Sequence, residues 1–313
     1  MATMKMTACL AAWGLMATTA LAAPAATPVA IDDTGVFPES LTSTAAGDLI
    51  IGSSAKGTIY RAGPNEQTAK VWIDPKTSGM SAVLGVFADE KAGVLYVCSA
   101  AIGAPPDKAD GLSALRVFDL ATGAPKAAYP MPGGSKALCN DIAITRGGDA
   151  YVSETIGGRI LRLKKGAAAL EVWLADPKLA SVDGIAVGSD GQIYVNTVQT
   201  NRMFRVQIRP DGTAGDLTEL IPSAKLDGPD GLRAIPGGRF LQAENRAGQV
   251  SELTIVGTEV RIRPLKSGEP GLTAMTIVRG KVWATNAKFA YRSDPALKGK
   301  DPNPFTVEPI DLH

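Results

Sequence analysis

The sequence predicts an all-β chain folded as a six-bladed β-propeller with four antiparallel strands per blade. Short runs rich in Val, Ile, Leu and Tyr recur between turns containing Gly, Asp or Pro, and no long stretch keeps the apolar spacing of a helix. A two-strand unit also repeats. The run Asn140-Asp141-Ile142-Ala143-Ile144, a turn at Gly147-Gly148 and then Tyr151-Val152 is matched by Asp183-Gly184-Ile185-Ala186-Val187, a turn at Asp190-Gly191 and then Tyr194-Val195. Six such units fit along the chain at intervals of roughly 40–55 residues. A lone four-stranded sheet cannot bury both faces, so sheets repeated at this period stack in a ring. A β-sandwich is the competing all-β fold, and it does not account for the repeat.

Taken in order, the chain opens with Lys5 and an apolar run over residues 7–21 that ends on Ala20-Leu21-Ala22, a small-x-small cleavage pattern. Residues 1–22 read as a removed signal peptide, since the run is shorter than the roughly 20 residues that cross a bilayer. Residues 23–313 then form one propeller domain, periplasmic or secreted, with no membrane contact after cleavage. The first unit is Glu39-Ser40-Leu41, a turn at Ala46-Gly47-Asp48 and Leu49-Ile50. The second runs through Val86-Phe87, turns near Lys91-Ala92-Gly93 and continues as Val94-Leu95-Tyr96-Val97; a surface loop over 103–111 interrupts it. The third and fourth are the pair above. The fifth begins Asp230-Gly231-Leu232 and turns at Gly237-Gly238, and the sixth joins Thr276-Ile277-Val278 to Lys281-Val282-Trp283 through Arg279-Gly280. Third and fourth strands follow in most units, as at 159–163 and 170–174. Residues 29–31 and 305–310 read as strands from opposite ends of the chain, one completing the blade the other begins.

Composition narrows the chemistry. With 32 Lys and Arg against 31 Asp and Glu, and no basic block, neither nucleic acid nor an anionic membrane is the expected partner. The expectation is a monomer that binds a small molecule. The single histidine is His313, which leaves Ser-His-Asp triads, Cys-His pairs and His-ligated zinc without their central part. Catalysis would rest on carboxylates, amides, hydroxyls or an oxygen-held metal. Two cysteines survive processing, Cys98 and Cys139; an oxidising compartment lets them pair, and a buried free pair is the alternative.

Aligning the units on Ile50, Tyr151, Tyr194 and Leu241 and counting eleven residues back gives Glu39, Asn140, Asp183 and Asp230. Each stands at the start of the innermost strand of its blade, so four oxygen-bearing side chains are expected to converge on the central channel. The remaining two units place Gly85 or a neighbour and Thr273 at that level. Three carboxylates without a basic partner call for a cation, and a donor set without His or Cys suits Ca²⁺, or less readily Mg²⁺ or Mn²⁺. The plainer reading treats Asp-Gly and Asn-Asp as turn residues that recur with the blade, which leaves Glu39 unexplained.

At these residues the chain resembles the calcium-dependent six-bladed propellers that include gluconolactonase, regucalcin and the diisopropyl-fluorophosphatase type of phosphotriesterase. The resemblance runs from Phe37-Pro38-Glu39-Ser40 through Cys139-Asn140-Asp141, Val182-Asp183-Gly184 and Pro229-Asp230-Gly231 to the sixth unit. It implies a lactone or ester hydrolase in which metal-activated water attacks the carbonyl at the channel, and the leader makes it an exported one. Glu39 would be a metal ligand only, Asp230 a ligand and proton acceptor with Asp183 second, and Asn140 a ligand or an orienting group. Two departures matter. Asp183 stands where the family commonly has Asn, and Leu138 stands where sugar-lactone members usually carry Arg, which argues against a sugar lactone. The alternative is a non-catalytic propeller that binds a ligand or protein around a structural calcium.

Other features read more plainly. Glu154 and Glu244 either line a pocket or are solvated loop carboxylates. Trp72 and Trp173 are expected to pack between blades. The Gly-Gly turns at Gly133-Gly134 and Gly237-Gly238 lack the following helix of a phosphate loop.

Overall fold

In the computed structural model, Met1, residues 27–104 and residues 113–310 are described; the leader, most of the 103–111 loop and His313 lie outside the described residues. The chain is all-β. One antiparallel sheet holds β2 (Pro38–Ser43), β3 (Leu49–Ser53), β4 (Ile59–Ala62) and β5 (Thr68–Ile73) in that order, and edge pairing through β1 (Val29–Ile31) joins it to a second run. The next three sheets are β6 (Ala82–Asp89) to β9 (Pro125–Pro130), with β7 (Val94–Ala100) and β8 (Ala114–Asp119) between them; β10 (Cys139–Ile144), β11 (Ala150–Glu154), β12 (Arg159–Leu163) and β13 (Glu171–Ala175); and β14 (Val182–Val187), β15 (Ile193–Thr197), β16 (Arg202–Ile208) and β17 (Ala214–Glu219). A short edge strand, β18 (Ile221–Pro222), pairs with β22 of the following sheet, which is β19 (Pro229–Ile235), β20 (Arg239–Glu244), β21 (Gln249–Val256) and β22 (Glu259–Lys266). The last run is β23 (Leu272–Val278), β24 (Lys281–Asn286), β25 (Thr306–Ile310) and then β1 from the other end of the chain.

The first strands of these sheets form the inner wall. Strands β2, β6, β10, β14, β19 and β23 each touch the next in that order, and β23 touches β2 again, which closes the ring. The terminal strands meet as expected: Val29 pairs opposite Val307 in an antiparallel bridge, while Ala30 pairs in parallel with Thr68 of β5. Among the described residues no helix is long and apolar enough to cross a membrane.

Period-2 strands buried on both faces explain where the core sits. It is divided into separate apolar clusters, each sandwiched between neighbouring sheets, such as Tyr151, Ile160, Ile185, Val195 and Phe204 between the β10 and β14 sheets. The tryptophans seal these seams. Trp173 stacks edge-on against Tyr151 with ring centroids 4.8 Å apart, and its Nε1 donates to the Gly212 carbonyl in the following sheet at 2.9 Å. Trp72 packs against the cluster that contains Val83, Val86 and Leu95, with the Arg61 guanidinium 4.8 Å from its ring. Cys98 on β7 and Cys139 on β10 are joined in a buried disulfide across another seam, with Cα atoms 5.0 Å apart.

Candidate functional site

A recurring irregularity of the inner strands builds the site. In each, the register with the second strand shifts near its start: between Pro38 and Ser40, Val83 and Val86, Cys139 and Ile142, Val182 and Ile185, Pro229 and Leu232, and Leu272 and Ala274. A bulge re-aims the side chains it contains. The bulged residues are Glu39, Leu84, Asn140, Asp183, Asp230 and Thr273, and all of them line one cavity on the axis. The expected four converge, Thr273 stands at the expected level, and Leu84, the neighbour of Gly85, fills the second position.

Glycine follows three of these residues because the next strand presses on it. A Cβ on Gly85 would lie 2.2 Å from the Asn140 carbonyl oxygen, one on Gly184 would lie 2.3 Å from that of Asp230, and one on Gly231 would lie 2.6 Å from that of Thr273. The Asp-Gly pairs are therefore strand residues packed against the neighbouring bulge, and the turn reading of them is corrected. At the same register β10 carries Asp141. Its carboxylate accepts from the backbone of Ile142 at 2.8 Å and of Ile185 at 3.2 Å, and pairs with Arg233 at 2.7 Å. Asp141 and Arg233 both line the cavity, and neither was anticipated.

The four expected residues are each less than a tenth exposed. The Asn140 amide donates to Thr155 Oγ1 at 2.9 Å and to Asp183 Oδ2 at 3.0 Å, while Asn245 donates to Asp230 Oδ2 at 3.3 Å. Burial, reinforced by the charge of Asp141, raises Asp183 from 3.8 to about 7 against the opposing Asn140 hydrogen bond. Glu39 is held well above the ordinary range by burial and then by Asp230, Asp183 and Asp141, with Arg233 opposing. Asp230 is raised by burial and then by Asp183. The cavity encloses about 10 Å³, close to what one water-sized particle needs.

Carboxylates plus an amide, with no His or Cys, fit a hard oxygen-preferring cation in donor chemistry. Their spacing is looser than a closed shell: among the described residues no three His, Cys, Asp or Glu side chains are gathered closely enough to hold an ion as they stand. One flank of the site is apolar. Leu84 packs with Ala82 and Ala100, and Leu138, two residues before Asn140, packs against them. Thr155, the hydrogen-bond partner of Asn140, also lines a separate surface groove of about 580 Å³ with Ile156, Ala180, Ser181 and Gln199.

Glu154 and Glu244 are neither pocket walls nor solvated. Glu154 is fully buried and accepts from the Leu138 backbone at 3.0 Å and from Arg159 Nε at 2.8 Å. Glu244 accepts from the Asp227 backbone at 2.8 Å, and burial raises its pKa. Each carboxylate thus anchors the loop that delivers a channel residue, Asn140 in one case and Asp230 in the other.

No protein-family profile and no curated protein sequence matches the chain. Solved structures do. A putative gluconolactonase superposes with a TM-score of 0.65 at 15% identity, covering 92% of this chain and 95% of its own. The PQQ-bound aldose sugar dehydrogenase of Streptomyces coelicolor gives 0.62 at 18% identity, covering 92% and 100%. Virginiamycin B lyase of Staphylococcus aureus gives 0.61 at 16% identity, covering 90% and 83%. Proteins this distant share a fold while their chemistries differ. The chain is similar to β-propeller proteins over nearly all its described length.

Proposed function

We propose that the chain is a six-bladed propeller, exported to the periplasm or beyond, that hydrolyses lactones or related esters with calcium held by Glu39, Asn140, Asp183 and Asp230. One observation carries this reading: the bulges turn three buried carboxylates and an amide onto a common cavity of about 10 Å³. Bound there, calcium would supply polarisation of a carbonyl and a lowered pKa for water. The protein's own contribution is to position and to move protons. Without a cation Asp230 and Asp183 hold protons more tightly than ordinary carboxylates, chiefly through burial, and a bound cation would favour their ionised, proton-accepting forms. Asn140 is steered by Thr155 and Asp183, and Glu39 serves as a ligand. The apolar flank at Leu84 and Leu138 favours an aliphatic or aromatic acyl group over a polyhydroxylated one. The bulk of such a substrate would lie outside the small cavity, where the groove beside Thr155 has room.

The test is hydrolysis of sugar, aliphatic and aromatic lactones by the protein with Ca²⁺ and with chelator, alongside thermal melts. The expected result is calcium-dependent turnover, lost by at least about 100-fold in Asp230→Asn. The small size of the acid-lined cavity also suits a non-catalytic binding propeller with a structural ion. A calcium-shifted melt without turnover of any lactone would select that reading, and no calcium effect on either measurement would remove the metal from both.

A further inference from the structure

Arg233 lies on β19, three residues beyond Asp230 and therefore deeper along the channel. The strands packed beside β19 on the inner wall are β14 and β23, yet the Arg233 guanidinium reaches past both. Its Nη1 donates to both carboxylate oxygens of Asp141 on β10, at 2.9 and 2.7 Å, and its Nη2 donates to the Val86 carbonyl on β6 at 3.4 Å. Asp141 in turn accepts from the Ile185 backbone on β14. One ion pair thus links the inner strands β6, β10, β14 and β19, and both side chains are largely buried, at 13% and 7% exposure. Asp141 also occupies the register where Gly85, Gly184 and Gly231 stand on other inner strands, so this carboxylate replaces a residue that elsewhere lets the strands close together.

We propose that Arg233 is a positioning residue that closes the channel beneath the acid-lined cavity and, through Asp141, holds the bulge that presents Asn140. The inference rests on the proposed calcium site and extends it to two residues outside the ligand set. Buried ion pairs of this kind are lost as units: removing one member leaves the other charged, buried and uncompensated, while removing both is far less damaging. The pair therefore acts as a lock, and the bulge beside it takes its geometry from both members.

The positioning role and a purely electrostatic one predict opposite signs. Arg233→Met removes a positive charge beside three carboxylates, which by Coulomb attraction alone would tighten a bound cation. If Arg233 positions Asn140, the same variant loosens it. Calcium affinity would be measured by titration calorimetry on the intact protein and on Arg233→Met, Arg233→Lys, Asp141→Asn and the Arg233→Met/Asp141→Asn double variant, with thermal melts of all five. The expected result is roughly tenfold weaker calcium binding in Arg233→Met and in Arg233→Lys, which keeps the charge and loses the fork. Unchanged or tighter binding in Arg233→Met would overturn the proposal. Each of Arg233→Met and Asp141→Asn should melt about 10 °C lower, and the double variant should melt above the weaker single variant. If the intact protein binds no calcium, the proposed function fails, and the melts still decide the lock: recovery in the double variant sustains it and additive losses overturn it.

Discussion

Two sectors of the inner wall share one backbone device and differ in what it carries. On β10, β14, β19 and β2 the bulge turns an amide or a carboxylate to the axis, whereas β6 presents Leu84, backed by Ala82, Ala100 and Leu138, and β23 presents Thr273, whose hydroxyl is spent on the Pro38 carbonyl at 3.4 Å. The bulge therefore belongs to the ring and the chemistry to the residue placed on it. Glycine behaves in the same way: Gly85 in the apolar sector is as tightly pressed as Gly184 in the acidic one.

That equivalence sets the largest expected effect. Gly85→Ala and Gly184→Ala should each cost about 3 kcal/mol in urea unfolding, because the new Cβ meets backbone rather than a movable side chain. Gly147→Ala, whose Cβ would meet nothing closer than 3.7 Å, should stay within about 0.5 kcal/mol. A tolerated Gly85→Ala beside a damaging Gly184→Ala would tie the glycine to the acids and break the comparison.

A pH series separates the sectors next. Asp183, Glu39 and Asp230 all have folded-state pKa values raised above their ordinary ones, with Asp183 near 7. The folded protein then binds more protons than the unfolded chain above the ordinary carboxylate range, so each contribution is fully present below that range and is lost as pH rises through the raised value, which for Asp183 is about 7. In chelator the melting temperature should fall by about 5–10 °C between roughly pH 5 and pH 8. Asp183→Asn should flatten the fall and Leu84→Ala should leave its slope intact. A flat profile for the unmodified protein would show that the acids do not share one buried field. The smallest effect concerns selectivity: Leu138→Ser should erode the proposed preference for apolar over hydroxylated lactones by less than about tenfold in kcat/KM.

Much of this was legible in the sequence because ladder register conserves counting. Residues three positions before Thr42, Ala143, Ala186 and Arg233, which face Ile50, Tyr151, Tyr194 and Leu241 across the hairpin, must reach the same level of the ring, and they are Glu39, Asn140, Asp183 and Asp230. In the second unit Phe87 faces Tyr96, which makes the spacing from Leu84 twelve residues rather than eleven, so the count points to Gly85 and its neighbour Leu84 takes the place. Asp141 and Arg233 escaped notice because their contact joins strands that are not neighbours and lie 92 residues apart, which no local pattern encodes. Two signals pointed to them all the same: an aspartate in a slot that is glycine in three sibling units, and an arginine in the apolar stretch that follows Asp230 on its strand. Glu154 and Glu244 were misjudged because their partners are loop N–H groups, which a sequence does not display. The disulfide stayed open because pairing depends on a Cα separation that only the packed sheets define.

The pairing of Val29 with Val307 has a consequence for how the chain reaches its final shape. Synthesis delivers β1 first and β25 last, so the strand made earliest has no antiparallel partner until nearly all the remaining residues exist. Each intervening sheet can assemble from contacts local to its own stretch of chain, but ring closure is a single long-range event that comes last. β1 can pair early with β5, but until β25 arrives its other edge stays open, which is a template for association with other chains. That late closure marks the interval in which the chain is most exposed to aggregation and proteolysis.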